Sequence, residues 1–149
     1  MKSVLNPNDL NEIISRVEKL KPDSQRQWGK MDVAQMIRHC RLADQYYFGE
    51  VTIKPHWIRF IFGKMILKNI LSKPNAEMKK GSPTAKYLFV NYPVENFEEE
   101  KKNWLERLQK YSNFTNDSFE HAFFGKMNRD QIGQLAYKHA DHHLKQFGE

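Results

Sequence analysis

Apolar residues return at i, i+3, i+4 and i+7 along most of this 149-residue chain, a period that admits packed helices and little else. Leu10, Ile13, Ile14, Val17 and Leu20 mark a first amphipathic helix, opened by Asn8 or Asp9 and stopped near Pro22. Asp32 is the N-cap of a second, with Gln35 placed to complete a capping box. Its stripe of Val33, Met36, Ile37, Cys40, Ala43 and Tyr47 leads to Phe48-Gly49. A third stretch, from His56 to Leu71, is apolar almost all round, which predicts burial in a core or a dimer interface. Residues 72–93 are rich in Ser, Pro, Asn, Gly and Thr and read as a long irregular loop. A fourth helix covers residues 94–111, with Phe97, Trp104, Leu105, Leu108 and Tyr111 facing inward. A fifth starts at or beside Asn128, with Gln131 in the capping-box position, and runs nearly to the C-terminus. Lys86–Val90 is the only strand candidate, and a lone strand has no partner. The expected fold is one all-α bundle over residues 1–149, with a long connection between the third and fourth helices.

Composition narrows the function classes. A single cysteine forbids an internal disulfide, and the first residues lack the apolar run of a signal peptide, so a reducing, cytoplasmic setting is expected. No unbroken apolar run reaches the roughly 20 residues of a membrane-spanning helix. The net charge of +6 comes from basic residues scattered through the helical patterns, without a basic stripe interleaved with aromatics. Nucleic acid is therefore not an expected partner. A Gly-rich phosphate loop, a Gly-x-Ser-x-Gly elbow, a Cys-x-x-Cys pair and a His-Glu-x-x-His motif are all missing.

Histidine placement carries the remaining signal. His139 and His143 are four residues apart on the last helix, a spacing that stacks side chains on one face. Counted at about 100° per residue from Ile132, they lie at about −20° and +20°, in the centre of the apolar stripe. Two imidazoles so placed can grip one divalent metal; the alternative is a pair of core histidines with satisfied hydrogen bonds. His142 falls on the flank of that helix. His39 shares a row with Gln35, Leu42 and Tyr46, which either faces a cavity or lies on the helix flank. Cys40 points about 100° away from it and reads as a small buried hydrophobe. His121 opens the turn that leads into the last helix, lining a pocket mouth or packing the turn, and His56 reads as a surface or capping residue. Neither Asp44 nor Asp141 is placed as an obvious base.

Three blocks resemble the DinB/YfiT-like superfamily, and within it a branch known only as a domain of unknown function. They are Trp28-Gly29-Lys30-Met31-Asp32-Val33-Ala34-Gln35-Met36-Ile37-Arg38-His39-Cys40, His121 through Met127, and Leu135 through Gly148. The resemblance implies an up–down–down–up four-helix bundle, here with an extra short helix and the long loop between the third and fourth helical segments. It also implies a metal held by one histidine of the second helix and a His-x-x-x-His pair of the last, which in this sequence are His39, His139 and His143. Relatives in that superfamily act as thiol transferases with low-molecular-weight thiols, or are hydrolase- or isomerase-like.

Three neutral imidazoles leave a position open on Zn²⁺ or Ni²⁺, as in a catalytic rather than a structural site. The metal would lower the pKa of a bound water or bind a thiol, with His142, His121 or Tyr46 as candidate proton donors. Burial of Phe60, Phe62, Phe123 and Phe124 is expected to make the cavity partly apolar, for a small organic substrate. The expectation is thus a metal-dependent transferase or hydrolase, with a homodimer as a further option through the third segment. One rival is a non-catalytic bundle with vestigial histidines, serving as a binding or scaffolding protein. Another is a membrane-surface role for Trp57–Leu71 as a basic amphipathic helix, against which the all-round apolar pattern counts, so no membrane partner is expected.

Overall fold

A computed structural model describes residues 1–72, 78–82 and 84–149. The described residues are mostly helical, with five α-helices, 56% helical content and one small two-stranded sheet. Helix α1 spans Pro7–Lys19, and its N-cap is Asn6, whose side chain accepts from the backbone N–H groups of Asn8 and Asp9. It therefore starts ahead of the expected Asn8 or Asp9, because Pro7 fits the first turn, where its missing N–H costs nothing. Helix α2, Val33–Tyr47, has the expected reciprocal capping box between Asp32 and Gln35. A π-helical turn over Arg59–Gly63 runs into α3, Lys64–Leu71. Helix α4 covers Phe97–Gln109 and tightens into a 3-10 turn over Lys110–Asn113. Helix α5, Arg129–Gln146, carries the expected box between Asn128 and Gln131.

One feature departs from the all-α expectation. Strands β1 (Phe119–His121) and β2 (Gly125–Met127) form an antiparallel hairpin just before α5, with Phe119 opposite Met127 and His121 opposite Gly125. Its strands are three residues each, too short to show a period-two pattern. The segment Lys86–Leu88, weighed as a strand, is instead a 3-10 turn. Within the expected loop over residues 72–93 that turn is the only regular element among the described residues; residues 73–77 and 83 lie outside them.

Helices α1 and α2 each pack against both α4 and α5. Ile13, Val17, Met36, Ile37, Trp104, Leu108, Ile132, Leu135 and Leu144 are almost wholly buried between them. This packing sets α2 directly beside α5, the relation on which the site depends. Polar pairs fix how α4 docks. Asp44 of α2 is buried and accepts hydrogen bonds from Trp104 Nε1 at 2.9 Å and Tyr111 Oη at 2.7 Å. Glu100 of α4 is held between Arg38 at 2.6 Å and Arg41 at 2.9 Å. Cys40 is buried and free, as expected of a small hydrophobe.

The third segment is not buried in the core of the chain, the first of its two expected placements. Gly63 and Leu67 face the core, but Trp57, Phe60, Ile61, Phe62 and Met65 are exposed. The inward face is narrow because the segment lies flat on the hairpin, where a Cβ at Gly63 would meet the Phe123 carbonyl oxygen at 2.6 Å.

Candidate metal centre

Helix α2 brings His39 to α5 at the level of His139 and His143, and one ligand nitrogen from each of the three lies within 4.8 Å of the others. The nearest pair, His39 Nε2 and His139 Nε2, is 3.0 Å apart. Zn–N bonds of about 2.0–2.1 Å would set neighbouring nitrogens about 3.3 Å apart, a spacing that falls between the 3.0 Å of this pair and the 4.8 Å that encloses all three.

Protonation suits ligation. Burial lowers the pKa of His39 from its ordinary value and pushes that of His143 down to about 3. Burial, reinforced by the neighbouring imidazoles, holds His139 well below the usual histidine range. All three are therefore neutral near pH 7, with one lone-pair nitrogen each. The lone pairs are aimed by hydrogen bonds to the opposite ring nitrogens. His39 Nδ1–H donates to the Leu88 carbonyl at 2.7 Å, which leaves Nε2 as its lone-pair nitrogen. His143 Nδ1–H donates to Gln146 Oε1 at 2.9 Å, with the same result. The Gln146 amide is oriented in turn, because its Nε2 donates to the Trp28 carbonyl at 2.8 Å. Gly29 makes that approach possible: its φ is +84°, and a Cβ there would overlap Gln146 Nε2.

His39 and His143 are buried, whereas His139 keeps part of its surface open.

The other sequence candidates lie around this cluster. His142 sits 5.1 Å, ring to ring, from His143 and 5.7 Å from Trp28. It lines a cavity of about 160 Å³ together with Trp28, Lys80, Lys138 and Lys145. His121 and Tyr46 are neighbours, at 5.4 Å between ring centres. Tyr47 lies between His121 and the cluster, 6.3 Å from His121 and 6.4 Å from His139. His121 stacks on Phe124 at 4.3 Å, and burial pushes its pKa down to about 3. Tyr46 Oη accepts from Ala122 N at 2.6 Å and donates to the Glu120 carbonyl at 3.4 Å, so its hydroxyl fastens the hairpin. His56 is exposed and accepts from Ile58 N at 3.3 Å, a capping role. Asp141 pairs with Arg16 and Lys145 on the flank of α5, and Asp44 serves α4, so neither reaches the cluster as a base.

Of the four expected lining residues, Phe123 and Phe124 are partly buried against the core, and Phe60 and Phe62 are not. Phe60 and Phe62 point to solvent, and the cavity beside His142 is lined by Trp28 and Met78 together with three lysines and Asp141. Sequence reasoning missed Gln146 and the two carbonyls of Leu88 and Trp28. Gln146 was accessible, since it follows His143 at i+3 on the same helix face. Backbone carbonyls leave no signal in side-chain identity.

The whole chain, residues 1–149, matches the family described as a protein of unknown function, DUF1569, and the chain belongs to that family. No curated protein and no solved structure matches it.

Proposed function

We propose that this member of a family of unknown function is a divalent-metal-dependent enzyme, of thiol-transferase or hydrolase type, acting on a small organic molecule. The observation that carries the reading is the convergence of His39, His139 and His143, two of them with the far ring nitrogen already engaged by an oxygen acceptor. The engaged Nδ1 of His39 and of His143 leaves the Nε2 of each as the lone-pair nitrogen, and a bound cation would replace the 3.0 Å hydrogen bond between His39 Nε2 and His139 Nε2. Imidazole donors suit Zn²⁺ and Ni²⁺, and three of them leave at least one position for a substrate or water. A cation there supplies Lewis acidity, which brings the proton of a bound water or thiol into the neutral range.

The chain's own residues supply the rest. The Leu88 carbonyl and Gln146 hold His39 and His143 in the ligating tautomer. His142, on the cavity wall, is the candidate to exchange a proton with the substrate. His121 and Tyr46 are engaged in the hairpin, so we assign them to shaping the site's edge rather than to proton transfer. We also read the packing of α1 and α2 on α4 and α5 as the up–down–down–up bundle of the DinB/YfiT-like superfamily; in support, the three histidines come from the second and last helices, as that resemblance implies.

The test is elemental analysis of untagged protein followed by Zn²⁺ and Ni²⁺ titration of the wild type and of His143→Ala. About one metal per chain is expected from a three-histidine site, with binding lost in the variant. Wild-type protein that neither contains nor takes up either metal would overturn the reading and leave a non-catalytic bundle. If metal binds, turnover of low-molecular-weight thiols and of ester or amide substrates separates transferase from hydrolase.

A further inference from the structure

We propose that the outer face of the third segment, from Trp57 to Lys68, is a docking surface for a bilayer containing anionic lipid. Five of the nine large apolar side chains exposed among the described residues lie there: Trp57 at 62%, Phe60 at 74%, Ile61 at 65%, Phe62 at 44% and Met65 at 54%. Such clustering on a solvent face marks an interaction site.

The segment is anchored by its other side, so the outward apolar face is built into the fold. His56 N donates to the Ala122 carbonyl at 2.9 Å, Arg59 pairs with Glu120 at 2.8 Å, Gly63 lies against the hairpin backbone, and Leu67 is buried. These contacts hold the segment lengthwise on the body and turn Phe60, Ile61 and Met65 outward.

Charge selects the occupant. Between Val51 and Ser72 the chain carries Lys54, Arg59, Lys64 and Lys68 and no aspartate or glutamate. With Arg59 paired to Glu120, Lys54, Lys64 and Lys68 remain as the segment's exposed cations, and an apolar face flanked by lysines matches the boundary between acyl chains and anionic headgroups, where aromatic residues and lysines both settle. A second copy of this chain fits less well, because a two-fold pairing of this face would set its cations against their own copies. No helix among the described residues is long and apolar enough to cross a membrane, so the segment would lie on the surface of the bilayer. The inference stands apart from the histidine cluster.

The test is co-sedimentation of the full chain with vesicles of phosphatidylcholine alone and of phosphatidylcholine mixed with phosphatidylglycerol. It uses the wild type, Phe60→Ser/Ile61→Ser and Lys64→Glu/Lys68→Glu, each checked for helicity by circular dichroism. All four positions are exposed, so folding is expected to be unaffected. The wild type is expected to bind the anionic vesicles, to release at high salt, and to leave neutral vesicles in solution. Each double variant is expected to lower the partition coefficient about tenfold or more. No binding to anionic vesicles, equal binding to neutral ones, or wild-type partition by both variants overturns the proposal. A dimer that Phe60→Ser/Ile61→Ser dissociates, in protein that ignores vesicles, also overturns it and assigns the face to self-association.

Discussion

His143 and Gln146 form a donor–acceptor pair within one turn of α5, at 2.9 Å from Nδ1 to Oε1, and the far end of the same amide is tied to the Trp28 carbonyl. The segment ahead of α2 thereby sets the ring orientation of a candidate metal ligand on the last helix. Gln146→Leu keeps the bulk of the side chain and removes both hydrogen bonds. Metal affinity is expected to fall about 10- to 100-fold, the usual effect of losing a ligand's supporting partner. Competition with a chromophoric chelator measures it. An unchanged affinity would mean that packing alone aims His143.

Gly29→Ala should act on the same chain of contacts. The residue sits at φ +84°, where a side chain costs about 1–2 kcal/mol, and its Cβ would displace the Gln146 amide. Both a lower urea midpoint and weaker metal binding are expected. Gly81→Ala is the control: φ is +72° with nothing within 4 Å of the added Cβ, so it should show the backbone cost without the loss of metal affinity.

Asp44 should make the fold sensitive to pH between about 4 and 6. Burial raises its pKa from 3.8 to about 6, outweighing the hydrogen bonds from Tyr111 and Trp104. The folded state then binds the proton more tightly than the unfolded chain does. This contribution is fully present below the unfolded value and is lost as pH rises through 6, on the order of 3 kcal/mol. In Asp44→Asn the change should be missing. Urea unfolding of metal-free protein at pH 4, 5, 6 and 7 checks it, through the difference between variant and wild type.

His121 works in the opposite direction. Its pKa drops from 6.5 to about 3 on burial, so the unfolded chain takes up the proton first. The stability it contributes is complete above pH 6.5 and is lost as pH falls towards 3. His121→Phe keeps an aromatic ring against Phe124 and removes the titration. Its acid unfolding midpoint is expected at lower pH than that of the wild type, and a midpoint at the same or higher pH would mean that His121 does not set acid sensitivity.

The helices were largely legible because their signals are local. Asp32 with Gln35, and Asn128 with Gln131, announce helix starts that the structure reproduces as reciprocal caps. The positions of His139 and His143 in the apolar stripe likewise follow from spacing alone. Whether His39 joins them depends on how far α2 slides along α5, a tertiary quantity, and only the family resemblance supplied it before the structure did. The hairpin was lost because three-residue strands carry no period, and its clamp, Tyr46 Oη on Ala122 N, joins residues 76 apart in sequence. The third segment's exposure on the single chain was not legible for a different reason. Apolar density shows that Trp57 and Phe60 need cover, but not that the fold itself provides it.

His39 and His139 meet at 3.0 Å although they are 100 positions apart in the chain. Any ion gripped by both would act as a reversible cross-link, closing a very long loop in a protein whose lone cysteine denies it a covalent one. A permanent bridge of that span removes about 4–5 kcal/mol of freedom from the unfolded chain. A cation held there would keep the two halves of the sequence from parting, so slow proteolysis, read with and without chelator, would report occupancy without any substrate in hand.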